Sequence, residues 1–329
     1  MDRRTFIRSS ALGAIAVTRA APAQSLRKIY RVGILGPFVG SDIVGPEPRS
    51  PFVSALLRGL RELGYVYGKD FVTEPRGDEG KPERLPGLAA ELVRLPADVI
   101  VARGIALPAL KEATSTIPIV MAASGDPVGQ GLVRSLSRPG TNFTGLSLQS
   151  AETIGKRLAL LKEIVPGAAP VAVLWNEGSL EYWKAAESAA RDRGWKLLSL
   201  EIRNAGEIQG AFASAINARA GALLVLGGGF FSPHARQISD LADRSRLPAM
   251  YELRPYVEAG GLISYSADIF AIWRQAAGFV DKILKGANPG DLPVEQPTKF
   301  ELVINMKTAK ALGLTIPQSV LLRADEVIQ

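Results

Sequence analysis

The chain has 329 residues, 47% of them hydrophobic and 22% charged, which is enough apolar surface for two packed domains and excludes a disordered chain. No cysteine and a single histidine remove disulfides, thiolate chemistry and cysteine- or histidine-based zinc sites. The formal net charge of +7 falls to about +4 beyond residue 23, because four arginines stand against one aspartate before it. No block of five like charges occurs, so neither a nucleic-acid partner nor a membrane-binding patch is expected.

The first residues carry the sharpest local signal. Met1 to Arg8 is charged and contains the adjacent Arg3 and Arg4, Ser10 to Val17 is a short run of small and apolar residues, and Ala21-Pro22-Ala23 is an A-x-A cleavage sequence. Residues 1–23 therefore read as a twin-arginine signal peptide, far shorter in its apolar part than the roughly 20 residues that span a bilayer. With no cysteine at the cleavage point to take a lipid, the mature protein is expected to be free in the periplasm.

From Ile29 onward, short β-rich runs alternate with amphipathic segments. Strands are expected at Tyr30 to Leu35, Lys69 to Glu74, Asp98 to Ala102 and Ile117 to Ala122, and helices at Pro51 to Leu63, Lys81 to Leu95 and Leu107 to Thr114. The same order then returns. Strands are expected at Val171 to Leu174, Trp195 to Glu201, Ala222 to Leu226, Pro248 to Tyr251 and Gly261 to Tyr265, with helices at Leu180 to Arg193, Ile208 to Ala220 and Pro233 to Ser245. Repeated strand-helix-strand units mean parallel sheets covered on both faces. The halves match in detail: ELGY at Glu62 to Tyr65 answers DRGW at Asp192 to Trp195, and Gly64 to Pro118 and Gly194 to Pro248 are both 54 residues apart.

The expected fold class is therefore α/β, with two doubly wound parallel-sheet lobes joined by a hinge. Arg138 to Ser150, rich in Gly, Ser, Thr and Asn, is the natural crossover. A helix at Ile269 to Lys285 follows the second lobe, and its position indicates that the chain crosses back. The N-terminal lobe is drawn as residues 26–145 plus about 269–295, and the C-terminal lobe as 146–268 plus about 296–329. In the tail, Phe300 to Asn305 has strand character and Lys307 to Leu312 is a short helix; the sequence does not assign them a place.

Ligands of doubly wound sheets bind beyond the carboxyl ends of the strands, and two lobes facing each other enclose a cleft. In the first lobe those ends give Gly36, Pro37, Arg103, Gly104, Ser124, Gly125, Asp126 and Thr144. Ser124-Gly125-Asp126 offers a hydroxyl and backbone N–H groups to a carboxylate, while Asp126 either takes an ammonium or caps a following helix with Pro127 in its first turn. In the second lobe the ends give Trp175, Asn176, Gly228, Phe230, Tyr251, Glu252 and Tyr265, which are candidates for flat apolar walls and polar anchors.

Enzymatic constellations are poor. His234 is the one available imidazole base, and no serine lies in a G-x-S-x-G setting, so neither catalytic residues nor a metal site is expected. Gly125, Gly129 and Gly131 make neither a dinucleotide fingerprint nor a phosphate loop, so no cofactor is expected.

Four stretches resemble the ABC-transporter substrate-binding proteins of the tryptophan/tyrosine-type family. They are ATSTIPIVMAASGDPVGQGLV from Ala113 to Val133, RPGTNFTGLS from Arg138 to Ser147, YVEAGGLISY from Tyr256 to Tyr265, and DLPVEQPTKFELVINMKTAKALGLTIP from Asp291 to Pro317. The resemblance spans nearly all of the mature chain. It implies a periplasmic-binding-protein type I fold with three crossovers, a small-molecule ligand in the cleft, and an ABC permease and ATPase as partners; a monomer is expected. It also implies an amino acid or related small organic acid as ligand. One departure stands out, since Gly104 is followed by Ile105 and Ala106 where members of the family carry a small hydroxyl residue.

Overall fold

The computed structural model describes residues 28–227 and 229–329; the signal peptide expected at residues 1–23 and Gly228 lie outside them. In the first half, β1 (Tyr30–Gly36), α1 (Pro51–Glu62), β2 (Phe71–Gly77), α2 (Leu85–Arg94), β3 (Val99–Ala102), α3 (Ala106–Ala113), β4 (Ile119–Ser124) and β5 (Phe143–Ser147) build a five-stranded sheet in the order β2-β1-β3-β4-β5. All its pairings are parallel. Val32, Ile34, Val99, Val101 and Val120 are fully buried, as strands covered on both faces require.

The second half repeats the plan. α4 (Ser150–Ile164), β6 (Val171–Trp175), α5 (Leu180–Arg191), β7 (Leu197–Glu201), α6 (Ile208–Asn217), β8 (Ala222–Val225), α7 (Ala235–Arg244), β9 (Ala249–Tyr251), α8 (Arg254–Glu258) and β10 (Ile263–Ala267) form the body of a second sheet. Its order is β12-β11-β10-β9-β8-β6-β7. From β7 to β10 this is the 2-1-3-4-5 order of the first sheet, so the internal symmetry of the sequence corresponds to a repeated topology. After α9 (Ile269–Leu284), the tail supplies β11 (Phe300–Asn305), α10 (Met306–Ala311), α11 (Gln318–Leu321) and β12 (Glu326–Ile328). β11 runs antiparallel to β10, with Tyr265 opposite Leu302, and β12 runs parallel to β11.

The chain passes between the two sheets three times among the described residues: at Leu148 and Gln149, between Ala267 and Asp268, and at 296–299. Asp268 caps α9 by accepting from the N–H groups of Phe270 and Ala271, and α9 then packs on α1 and β4. Trp273 of α9 is fully buried, with its ring 5.7 Å from Phe38 and 5.9 Å from Phe52. Gly59 of α1 makes that docking possible, since a Cβ there would stand 2.4 Å from the carbonyl oxygen of Arg274. Glu295 then extends the first sheet, donating its N–H to Gly145 O and accepting from Ser147 N, before the chain enters β11.

Two features differ from the sequence reading. Arg138 to Ser150 is not an open connection throughout, because Phe143–Ser147 is a fully buried edge strand, and its turn-rich composition reflects Gly145 at φ +129°, where a Cβ would meet Met121 backbone at 2.4 Å. The connection proper is only Leu148 and Gln149, the latter in the left-handed region at φ +51°. The helix α4, which the sequence reading left unassigned, follows at once.

Candidate functional site

The carboxyl ends of β3, β4 and β5 face those of β8 and β9 and the first turn of α5, and the two sets meet around a narrow cavity of about 20 Å³. On the first-lobe side stand Arg103, Gly104, Ala123, Ser124, Gly125 and Gln130, followed by Leu148 and Ser150. Tyr182, Gly229, Glu252 and Leu253 close it from the second.

The end of β4 is bent to this purpose. Ala122 pairs with Leu146 and Ser124 with Ser147, so Ala123 is the extra residue of a bulge, held at φ +153°. A bulge at a strand end re-aims the side chain beyond it, and strained backbone of this kind gathers at binding sites. Here it places Ser124 at the cavity, fully buried, with no hydrogen-bond partner for its Oγ.

Glycines bring the lobes into contact. An added Cβ on Gly125 would lie 1.5 Å from the Tyr182 hydroxyl, and one on Gly229 3.3 Å from Gly104 Cα. Gly104 itself takes φ +54°, a conformation that an L side chain seldom adopts. Arg103 bridges the same junction. Its Nη2 donates to Ser232 Oγ of the second lobe at 3.1 Å, its guanidinium lies 4.7 Å over the Phe52 ring, and burial lowers its pKa to about 10, so it stays charged at neutral pH.

The second lobe contributes a buried ion pair. Arg157 of α4 donates from Nη2 to Glu252 Oε1 at 3.2 Å and from Nε to the Tyr265 carbonyl at 2.8 Å, and both side chains are less than 5% exposed. Arg157 Nη1 has no partner. Glu252 Oε2 lies against Gly227, where a Cβ would be 1.7 Å away. Beside it the Tyr182 hydroxyl is held far above the usual phenol range by burial first and by the Glu252 carboxylate second, so it remains a neutral donor.

Polar groups buried without partners are rare in folded proteins. Three of those found here, Ser124 Oγ, Gln130 Oε1 and Arg157 Nη1, belong to this cavity or to the ion pair that edges it, and Ser150 Oγ has only the Tyr182 hydroxyl beside it. The cavity thus presents donors and acceptors at once. Such a ring of groups answers a dipolar solute carrying both a cationic and an anionic end.

Of the residues picked from the sequence, Arg103, Gly104, Ser124, Gly125 and Glu252 line the cavity. The others sit elsewhere. Gly36 lies against the Phe38 ring at the end of β1, with Pro37 buried beside it. Asp126 accepts from Gly129 N at 2.8 Å, and what it caps is a turn, with no helix following. Thr144 donates to Leu292 O at 2.7 Å and ties β5 to the segment after α9. Trp175 stacks on Trp183 with centroids 5.4 Å apart and donates to Ser199, Asn176 forms a capping box with Ser179, and Phe230 packs edge-on to Phe231. Tyr251 stacks on Tyr256 at 5.0 Å, and Tyr265 stacks on Phe300 at 5.7 Å while its hydroxyl accepts from Lys156. Gly228 lies outside the described residues.

The sequence reading missed Gln130, Ser150, Arg157 and Tyr182. For Arg157 a signal existed: Thr153, Ile154, Arg157, Leu158, Leu161 and Ile164 form one buried helical stripe, and a guanidinium inside an apolar stripe requires a buried partner. His234, the one imidazole, is half-buried near Phe230, outside the cavity wall, and burial lowers its pKa against the opposing pull of Asp78.

Residues 42–328 match the family model described as ABC transporter substrate binding protein. The chain belongs to this family. It is a substrate-binding protein rather than an enzyme, and its fold agrees with solved relatives. A conserved domain protein from Vibrio cholerae superposes with a TM-score of 0.83 at 30% identity, covering 91% of this chain and all of the other. The domain from Streptococcus pneumoniae solved in complex with L-Trp superposes with a TM-score of 0.83 at 25% identity, covering 92% of this chain and all of its own. A Tyrosine-binding protein from Clostridioides difficile is 26% identical over 264 residues, which is 78% of this chain and 75% of that protein. Among the described residues of the substrate-binding protein, no group of acidic or histidine side chains could hold a metal ion, and no helix is long and apolar enough to cross a membrane.

Proposed function

We propose that the protein captures an amino acid in the cavity between its lobes and delivers it to an ABC permease and ATPase as the receptor of an importer. The chain is exported through the twin-arginine signal at residues 1–23 and works in the periplasm. Residues up to Ser147 with about 269–295 act as one lobe, and 150–268 with about 296–329 as the other, hinged at the three crossings; the first boundary falls two residues later than the 145/146 expected from the sequence, because β5 runs to Ser147. The ligand stabilises the closed arrangement because it touches both lobes, so closure follows its differential affinity.

The observation that carries this reading is the ring of buried atoms left without protein partners: the Ser124 hydroxyl and Gln130 carbonyl oxygen from one lobe, and from the other Nη1 of Arg157, whose Nη2 pairs with Glu252. An α-amino acid satisfies such a ring, its carboxylate accepting from the hydroxyls and its ammonium donating to Glu252. The names of two relatives, one solved with L-Trp and one called tyrosine-binding, point to the same ligand class.

The test is a melting-temperature screen of the purified mature protein against the amino acids and small organic acids, with mass spectrometry of solute released on denaturation. An amino acid that binds the folded state alone raises the melting temperature by mass action, by roughly 2.7 kcal/mol of stability at a hundredfold excess over Kd. A response confined to another solute class would overturn the reading.

A further inference from the structure

Resting on the amino-acid reading, the geometry points to Tyr182 as the residue that sets the size of the ligand, restricting this site to small polar amino acids of about the size of serine or threonine and excluding aromatic ones. Tyr182 projects from the first turn of α5 across the lobe junction. Its hydroxyl reaches the backbone of Gly125, where even a methyl group would lie 1.5 Å away, and comes beside Ser150 Oγ. It is 3% exposed and held in the second-lobe core, so the ring is a fixed plug and not a mobile cover.

What remains around it is small and polar. The enclosed space is only about 20 Å³, far below the roughly 300–1,000 Å³ typical of small-molecule sites, so a ligand is seated only as the lobes part around Tyr182, and a bulkier side chain demands a wider parting. An indole or phenol side chain also needs flat apolar walls. The aromatic residues near these strand ends are committed to one another: Trp175 to Trp183, Tyr251 to Tyr256, Tyr265 to Phe300. Apolar lining comes from Ala123, Leu148 and Leu253, interleaved with Arg103, Ser124, Gln130 and Glu252. An aromatic side chain placed there would bury those polar groups without hydrogen bonds, which disfavours it more than a lost contact would.

The experiment titrates the wild-type protein and Tyr182→Ala with glycine, L-alanine, L-serine, L-threonine, L-tyrosine and L-tryptophan by calorimetry. The wild type is expected to bind its best small ligand at least about tenfold more tightly than L-tyrosine or L-tryptophan, and the variant to lose that preference by at least about tenfold. Tyr182→Phe, which keeps the ring, is expected to keep the ranking. Wild-type protein that binds L-tryptophan or L-tyrosine as tightly as any small amino acid overturns the inference while leaving the amino-acid reading intact. Protein that binds none of the six, yet answers a non-amino-acid solute, overturns both. Should Tyr182→Ala fail to fold, the wild-type ranking with Tyr182→Phe still decides.

Discussion

Gly125→Ala is expected to weaken ligand binding while leaving the folding of each lobe nearly untouched. The added methyl would stand 1.5 Å from the Tyr182 hydroxyl and 2.6 Å from its Cζ. Ordinary contact begins near 3.4 Å, so the tyrosine must retreat by about 2 Å, and its surroundings in the second-lobe core leave it no room to swing aside. Because Gly125 and Tyr182 belong to different lobes, the relief with least cost is separation of the lobes. Overpacking a tight contact typically costs 1–3 kcal/mol. Here the cost falls on the closed form alone, so Kd should rise roughly 5- to 150-fold. Calorimetric titration with the best wild-type ligand measures the loss, and circular dichroism melting without ligand isolates the effect on folding. A Kd within twofold of wild type would refute the reasoning. So would a ligand-free melting temperature lowered by more than about 6 °C, because a change of that size means about 2 kcal/mol of strain inside a lobe.

Arg157→Met leaves Glu252 buried without its counter-charge and frees the Tyr265 carbonyl, so urea denaturation should report about 3–5 kcal/mol of lost stability. Gly59→Ala pushes a methyl to 2.4 Å from the Arg274 carbonyl at the contact of α1 with α9; about 1–3 kcal/mol should be lost, together with faster proteolysis at the segments flanking α9. Glu301 is pushed up to about 7, by burial first and the Asp268 carboxylate second, so the folded state holds a proton that the unfolded state releases near pH 4.5. Stability from that group is therefore complete at low pH and is lost as pH rises to about 7; Glu301→Gln should be more stable than wild type at pH 8, nearly equal at pH 5, and urea midpoints at the two values check it.

The alternation of apolar strands with amphipathic helices, and its return after residue 170, made the α/β class and the doubled topology legible before any coordinates. Strands such as Val99–Ala102 and Ala222–Val225 are continuous apolar runs because both faces are covered, and that is a property of local sequence. The edge strand at Phe143–Ser147 hid behind its glycine and polar residues, which serve a close approach to Met121 and a hydrogen bond to Leu292. At the site, the residues read from strand ends divided in a way that periodicity could not foresee. Gly104, Ser124, Gly125 and Glu252 turn to the cavity, while Trp175, Tyr251 and Tyr265 find aromatic partners inside the second lobe.

What the sequence by itself determined is what depends on near neighbours: the order of elements, the α/β class and the family. What only the tertiary structure decided is which residues meet across long stretches of chain, up to the 129 residues between Arg103 and Ser232: Tyr182 against Gly125, Arg157 with Glu252, Arg103 with Ser232. Contacts of that kind leave no period in the sequence, because each partner is placed by the packing of a different element, and for Tyr182 with Gly125 and Arg103 with Ser232 by a different lobe, so that only closure of the two lobes defines the space between them.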